Sequence, residues 1–368
     1  MKTYAVGGSV RDELLGRRVE DRDWVVVGAT PAQMVAAGFR PVGADFPVFL
    51  HPQTHEEYAL ARTERKTGPG YKGFTFHASP EVTLEEDLRR RDLTINAMAR
   101  GEDGVLVDPH GGAADLERGV LRHVGEAFAE DPVRILRVAR FAARFGFEVA
   151  TGTMELMRAM VRAGEADHLV PERVWQELAR GLQEPLPARM LQVLEACGAL
   201  AAVLPEIDRL ARREGLALAC ARLEAATAHG IAVRFASLTV GLTTAEVSAF
   251  CERINAPGEC RDLAALAARE RAAVEGAGIL GPGPLLELLE RTDAFRRPER
   301  LERLMQVCEC DLRARGLARR VPRERLESAR AAALEIDAQA IAKAHPRAVA
   351  GAIHAARAER IGLRLGEA

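Results

Sequence analysis

The chain of 368 residues carries 51 basic and 53 acidic side chains, a formal net charge of −2, with 48 % hydrophobic and 28 % charged residues. Such a composition belongs to an ordinary globular protein of two or three domains; it excludes a disordered chain, a collagen-like repeat and a small disulfide scaffold. The near-neutral total also weighs against a uniformly basic nucleic-acid binder.

Lysine occurs only at Lys2, Lys66, Lys72 and Lys343, so the other 47 basic residues are arginines. Arginine frequency is therefore a compositional bias, and only arginine position carries information. The six cysteines (Cys197, Cys220, Cys251, Cys260, Cys308 and Cys310) all lie in the second half, and Cys308 and Cys310 are too close together for a zinc knuckle. Scattered thiols without a signal-peptide pattern point to a reducing, cytoplasmic location. No apolar run approaches the ~18 residues that span a membrane.

In chain order, Lys2–Val6 and residues 24–27 are short β-branched runs bounded by Gly or charge, which predicts strands, and 46–50 and 58–61 predict two more. Residues 31–38 predict a helix with Thr30 as N-cap, Pro31 at its first turn and Gly38 as its stop. The Gly- and Pro-rich stretch 64–83 predicts a long loop, a feature that compact domains keep for a task. After Asp131 the period is helical to the end, with breaks at Gly164, Pro171, Pro205, Pro257, Pro298 and Pro322. The outline is α+β at the amino-terminal end and all-helical beyond it.

Chemistry-bearing residues begin at Val6-Gly7-Gly8-Ser9-Val10-Arg11-Asp12, where a strand runs through two glycines into a helix. Such a turn lets backbone approach a phosphate, with Arg11 one turn further on, although a plain tight turn has the same pattern. Thirteen residues after Gly8, Asp21 and Asp23 stand at i and i+2, on one face of extended chain. Two ionised carboxylates so close repel unless a cation lies between them, and Mg²⁺ with substrate phosphates is its natural occupant; a solvated acidic turn is the rival reading. A two-metal site needs a third carboxylate on a neighbouring strand, for which Glu57 is the candidate and Glu56 the competitor, depending on strand register. Further on, 85–97 is dense in charge. Glu85/Arg89 and Glu86/Arg90 have the i,i+4 spacing of a solvated helix face, which leaves Arg91, Asp92 and Asn96 unexplained and placed for triphosphate or ribose contacts.

Asp131-Pro132 predicts an N-cap with Pro at N1. Arg134, Arg137, Arg140 and Arg144 then fall within an arc of about 120° on one face of the following helix, with no Glu between them. Such a stripe requires an anion or a set of acceptors to face, and a triphosphate or a base edge suits guanidinium donors.

Gly7-Gly8-Ser9-Val10-Arg11-Asp12, Asp21-Arg22-Asp23, Arg90-Arg91-Asp92-Leu93-Thr94-Ile95-Asn96-Ala97 and Glu130-Asp131-Pro132-Val133-Arg134 resemble, in order and spacing, the motifs of class II tRNA nucleotidyltransferases, the CCA-adding enzymes. The stretch from Val42 to Arg65 resembles their bacterial multifunctional branch. The likeness is close over about residues 1–205 and looser beyond. It implies a polymerase-β-like nucleotidyltransferase head with a mixed sheet (1–122), a helical neck and body that selects the nucleotide (123–205) and a helical, tRNA-binding tail (206–368). It also implies addition of C, C and A to the 3′ end of tRNA from CTP and ATP. By resemblance Gly8, Arg11, Arg91, Arg137 and Arg140 contact the nucleotide, Asp21 and Asp23 the metals, and Asp131 with Arg134 the Watson–Crick edge of the incoming base.

Multifunctional relatives carry a metal-dependent phosphohydrolase domain with a His-Asp pair. The corresponding stretch here is Val233-Arg234-Phe235-Ala236-Ser237-Leu238-Thr239-Val240-Gly241-Leu242, and no His-Asp dipeptide occurs in the chain, so no phosphohydrolase activity is expected. Other readings are a CC-adding enzyme, which would lack the loop at 64–83, an A-adding enzyme, a bacterial poly(A) polymerase, which the stretch Asp45-Phe46-Pro47-Val48-Phe49 disfavours, and a non-catalytic tRNA-binding module, which intact Asp21 and Asp23 disfavour. In the helical remainder, 291–330 holds twelve Arg against seven acidic residues, a local +5 that suits RNA phosphates or, equally, a salt-bridged helix pair.

Overall fold

The computed structural model describes residues 1–19, 21–42, 48–66 and 74–366, which fall into two compact units, Met1–Val203 and Leu204–Ala368. In chain order the first unit contains β1 (Lys2–Val6), α1 (Gly8–Leu14), β2 (Asp23–Val27), α2 (Pro31–Ala36), β3 (Arg40–Val42), β4 (Val48–Leu50), β5 (Glu57–Leu60), β6 (Arg62–Lys66), β7 (Phe74–Ala78) and α3 (Leu84–Arg89). A 3-10 turn at Thr94–Asn96 follows, then β8 (Ala99–Gly101), β9 (Leu106–Val107), α4 (Gly112–Arg118), β10 (Val120–Leu121), α5 (Val133–Phe145), β11 (Glu148–Val149), α6 (Thr151–Arg162), α7 (Pro171–Gln183), α8 (Pro187–Ala196) and α9 (Ala199–Val203).

The main sheet runs β3-β4-β5-β2-β1-β8-β9. Only β2 and β5 pair in parallel within it; the other neighbours are antiparallel, so the sheet is mixed as expected. Strand alternation sends Val25 to one face, where Val6, Leu84, Leu88 and Ala97 bury it, and Val26 to the other, against Met34, Phe49 and Leu60. The helix at Pro31–Ala36 starts as expected, with Thr30 and Gln33 forming a reciprocal capping box. Thr83 and Glu86 form a second one at the start of α3.

One expectation changes. The stretch 64–83 is not simply a loop: β6 and β7 pair antiparallel as a separate two-stranded sheet, from Arg62↔Ala78 to Lys66↔Phe74. Glycines at 68, 70 and 73 and the proline at 69 punctuate the sequence there, and they drew the whole segment into one loop. The residues between these strands, like Asp45, Phe46 and Pro47, lie outside the described residues.

The 3-10 turn is clamped from below by α4. A Cβ on Gly112 would stand 2.2 Å from the carbonyl oxygen of Thr94, a contact that only glycine permits. Thr94 also donates its hydroxyl to the buried Asp115 at 2.8 Å.

The second unit is helical: α10 (Pro205–Glu214), α11 (Leu216–Ala225), α12 (Ile231–Thr239), α13 (Thr244–Arg253), α14 (Gly258–Glu275), α15 (Pro282–Arg291), α16 (Pro298–Ala314), α17 (Arg323–Leu334), α18 (Ala338–Ala344) and α19 (Val349–Leu365). Its core centres on α12, α14 and α16, with Phe235 stacked on Phe250 at 5.6 Å. All six cysteines are free and buried, five of them in this unit, and burial pushes the Cys251 thiol up to about 11 and that of Cys260 up to about 12. They are packing residues.

Candidate functional site

The turn from β1 into α1 passes through Gly7 at φ 68°, and its amide donates to the carbonyl of Met98 at 3.1 Å. The Arg91 guanidinium lies over this turn: a Cβ on Gly7 would stand 2.8 Å from Nη1. The positive φ demands glycine, and any side chain here would also have to displace the Arg91 guanidinium. Arg91 donates Nη2 to Asp87 at 3.2 Å and Nη1 to the carbonyl of Asn96 at 3.4 Å, while its buried Nε has no acceptor among the described residues. Asp87 is fully buried and also accepts from Arg90. Burial alone would raise its carboxyl, but the charges of Arg91 and Arg90 hold it below the usual carboxylate range.

Asp23 opens β2, and Asp21 lies two residues before it; both are exposed. Desolvation pushes the Asp23 carboxyl up against the opposing pull of Arg91, and the charge of Asp21 adds to the rise. The parallel register of β2 and β5 aligns Asp23 with Glu57. Glu56, the competing carboxylate, is occupied: it accepts from the Trp24 indole at 3.2 Å and from the Thr54 hydroxyl at 3.1 Å. Among the described residues no three His, Cys, Asp or Glu side chains gather into a metal cage, so Glu57 stands beside the aspartate pair without closing a site. Two exposed carboxylates two residues apart, with the charge of Arg91 acting on Asp23, fit a divalent cation that takes its other oxygens from a triphosphate.

The arginine stripe has its acceptors. They come from outside α5, which explains why the helix carries no interleaved Glu. Arg134 donates to the backbone carbonyls of Ala127 and Arg90, each at 2.8 Å. Arg137 donates to Asp92 at 2.7 Å, Arg140 to Glu177 of α7 at 2.5 Å, and Arg144 to Asp12 of α1 at 3.0 Å. Asp12 also binds Arg11, whose Nη1 donates to the Asn96 side-chain oxygen at 2.6 Å, and Asn96 in turn donates to Asp92 at 3.0 Å. A continuous charged network thus links α1, the 3-10 turn, α5 and α7. Buried Arg11 also lies over the rings of Phe141 and Phe145.

Asp92 is the hub. It is 7 % exposed and accepts from Arg137, from Asn96 and from the amide of Leu93. Burial would raise its carboxyl, but the Arg137 charge and these hydrogen bonds hold it far below the usual range. At the start of α5, Asp131 accepts the Val133 amide at 3.1 Å, so it caps the helix from one position earlier than expected, Pro132 being the residue at the boundary. Its two oxygens also take a bidentate pair from Arg173, at 3.0 and 2.8 Å.

The structure therefore brings Gly8, Arg11, Arg91, Asp92, Asn96, Arg137 and Arg140 into one connected region. Asp131 and Arg134 stand at the amino-terminal end of the same helix. Sequence reasoning missed Asp87, Arg173 and Glu177. Asp87 had a signal, because its spacing to Arg91 is i,i+4; the other two pair only through the tertiary fold.

The sequence profile of the family described as "Poly A polymerase head domain" matches residues 3–122, and that described as "Probable RNA and SrmB- binding site of polymerase A" matches 146–210. A "Multifunctional CCA protein" of Aromatoleum aromaticum is 54 % identical over 404 aligned residues, covering 100 % of this chain and 99 % of the relative. Its counterpart in Azoarcus sp. is also 54 % identical, covering 97 % of this chain and 96 % of the relative. Among solved structures, the Bacillus stearothermophilus CCA-adding enzyme in complex with CTP is similar, with a TM-score of 0.69, 26 % identity and coverage of 99 % of this chain and 89 % of that one.

Replacing Asp92 by Asn leaves the Arg137 guanidinium without its buried counter-charge, and should cost about 3–5 kcal/mol of stability at pH 7. Because the folded-state carboxyl titrates below its unfolded value, its contribution is present above about pH 4 and lost as pH falls through the folded pKa. Urea unfolding at pH 7 and pH 2.5 should therefore show a smaller acid-induced loss for Asp92→Asn than for the wild type. An equal loss in both proteins would remove Asp92 from this role.

Proposed function

The chain belongs to the family of CCA-adding tRNA nucleotidyltransferases, and we propose that it builds the nucleotide site on the wall formed by α1, the 3-10 turn and α5, beside Asp21 and Asp23. The enzyme adds C, C and A to the 3′ end of tRNA, with CTP and ATP as nucleotides and pyrophosphate as the leaving group. The observation that carries the site assignment is Arg91, which lies over the Gly7 turn while its charge acts on Asp23.

In this reading Gly8, Arg11, Arg91, Asn96, Arg137 and Arg140 bind and orient the triphosphate and ribose, with Asp92 fixing Asn96 and Arg137. Asp21 and Asp23 hold Mg²⁺, with Glu57 in support. When bound, that cation would screen the triphosphate and lower the pKa of the tRNA 3′-hydroxyl, so that no side chain need serve as a strong base. Asp131 presents acceptors and Arg134 donors to the Watson–Crick edge of the base. Each is already held, by Arg173 and by two backbone carbonyls, so they are fixed in orientation before the nucleotide arrives.

The division into a head (1–122), a neck and body (123–205) and a tail (206–368) belongs to the same proposal. It is supported by a family profile that ends at 122 and a boundary between compact units after Val203. Full-length similarity to multifunctional CCA proteins favours complete addition over A-addition alone, poly(A) synthesis or simple tRNA binding. A cytoplasmic site of action, where tRNA and nucleotides meet, fits the six free thiols. No helix among the described residues is long and apolar enough to cross a membrane.

For the tRNA body, two groups stand out among the twelve arginines of 291–330. Arg291, Arg296, Arg297, Arg315, Arg319 and Arg323 are in ion pairs. Arg313 and Arg320 are exposed, have no carboxylate partner among the described residues, and line a cavity of about 860 Å³ with Arg319, Arg323 and Arg325. This cavity is the place we assign to tRNA phosphates.

Either Asp21→Ala or Asp23→Ala should reduce nucleotide addition to background while tRNA binding survives; addition at a wild-type rate by either would defeat the metal assignment. With tRNAs ending at the discriminator base, at C or at CC, the wild type should add CMP to the first two and AMP to the third, and then stop. Arg313→Glu/Arg320→Glu should weaken tRNA binding and lower the slope of log affinity against log salt by about 1–2, the change expected on losing two phosphate contacts. An unchanged slope would make the basic stretch a salt-bridged surface.

A further inference from the structure

The second unit contains a buried charge cluster with no part in the nucleotide site. Arg222 of α11 is 4 % exposed, and its guanidinium donates Nε to Asp311 of α16 at 2.6 Å and Nη1 to Glu214 of α10 at 2.8 Å. The same Nη1 donates to the carbonyl of Val240, at the end of α12, at 2.9 Å. The second oxygen of Asp311, whose side chain is wholly buried, accepts from Arg271 of α14 at 3.0 Å, and Arg271 also binds Glu275 at 2.6 Å. One guanidinium thus ties together α10, α11, α12 and α16, and a second extends the cluster to α14.

The position of this cluster gives it meaning. Val240 lies in the stretch that, by resemblance, corresponds to the His-Asp pair of the multifunctional phosphohydrolases. Thr239, the residue before it, is buried and turns its hydroxyl back to the carbonyl of Ala236. A divalent cation needs several lone pairs aimed at one point. Here both oxygens of the central carboxylate, one of Glu214 and the facing carbonyl are all taken by N–H donors, and the cluster already contains two full positive charges. The residues present do not fit a metal.

We infer that Arg222 replaces a bound cation: its guanidinium draws Glu214, Asp311 and the Val240 carbonyl together, and makes this place a metal-free structural core. A planar, permanently charged group with five donors suits that task, because it gathers acceptors from several helices without exchangeable ligands. The second unit then keeps the fold of a multifunctional relative as scaffold for tRNA, and all divalent-metal dependence of the protein resides in the first unit.

Two measurements on the full chain test this. Arg222→Met should lower the melting temperature by about 5–15 °C, and Arg222→Met/Asp311→Asn by less than the sum of the single losses. Arg222→Lys, which keeps the charge but loses the fork, should fall between wild type and Arg222→Met and still fold. CCA addition by Arg222→Lys at 20 °C should be unchanged. The second measurement is metal content after dialysis against Mn²⁺ or Ni²⁺, made on Asp21→Ala/Asp23→Ala protein that retains Arg222. No bound metal and no melting shift on adding the ion are expected. An equivalent of retained metal, metal-stimulated phosphate release from a 2′,3′-cyclic nucleotide, or an Arg222→Met protein as stable as wild type would overturn the inference.

Discussion

A carboxylate removed from water must be neutralised or surrounded, and the first unit is organised around one such group, Asp92. Its side chain is almost wholly buried, so the charge persists only because Arg137, Asn96 and the Leu93 amide converge on it. Those partners come from α5, from the 3-10 turn and from the backbone just before that turn. To satisfy Asp92 is therefore to fix the wall on which we propose that the nucleotide lies. Buried ion pairs add little net stability against apolar substitutes, and the value of this one lies in position. It holds Arg137 and Asn96 in one place, and through Asn96 and Arg11 it reaches Asp12 and Arg144.

A wall of arginines paired with carboxylates behaves differently from a bare basic patch. The arginines are oriented before substrate arrives, so little side-chain entropy remains to be lost on binding. A triphosphate must then compete with, or share, donors already bound to Asp92, Glu177 and Asp12. Arg137, about one third exposed, retains a face toward solvent for that purpose. The same economy of charge explains the overall −2. Among the described residues many arginines of both units are matched by acidic partners, while Arg313 and Arg320, which have none, share one cavity.

Local signals in the sequence were reliable guides. Short β-branched runs located β1, β2 and β5, and the Thr30 cap located α2. Pairings between distant residues were not legible. Asp92 and Arg137 are 45 residues apart, Arg140 and Glu177 37, and Asp12 and Arg144 132. No periodicity connects such pairs, so the stripe on α5 showed only that acceptors were required. The choice between Glu56 and Glu57 likewise depends on strand register, which sequence does not show: Asp23 is in register with Glu57, and Glu56 accepts from the Trp24 indole. The hairpin of β6 and β7 was hidden by the glycines and proline between its strands. In the second unit the absence of a His-Asp dipeptide is plain in sequence, whereas the pairing of Arg222 with Asp311, 89 residues away, is not.

The central claim is that Asp92 and Arg137 act on the nucleotide as one device. A double-mutant cycle of Asp92→Asn and Arg137→Gln, read as kcat/KM for CTP addition to tRNA ending at the discriminator base, tests it most directly. The double variant should be no slower than the worse single variant, a coupling of at least about 1 kcal/mol. Losses that multiply would show two independent contacts, and would contradict it.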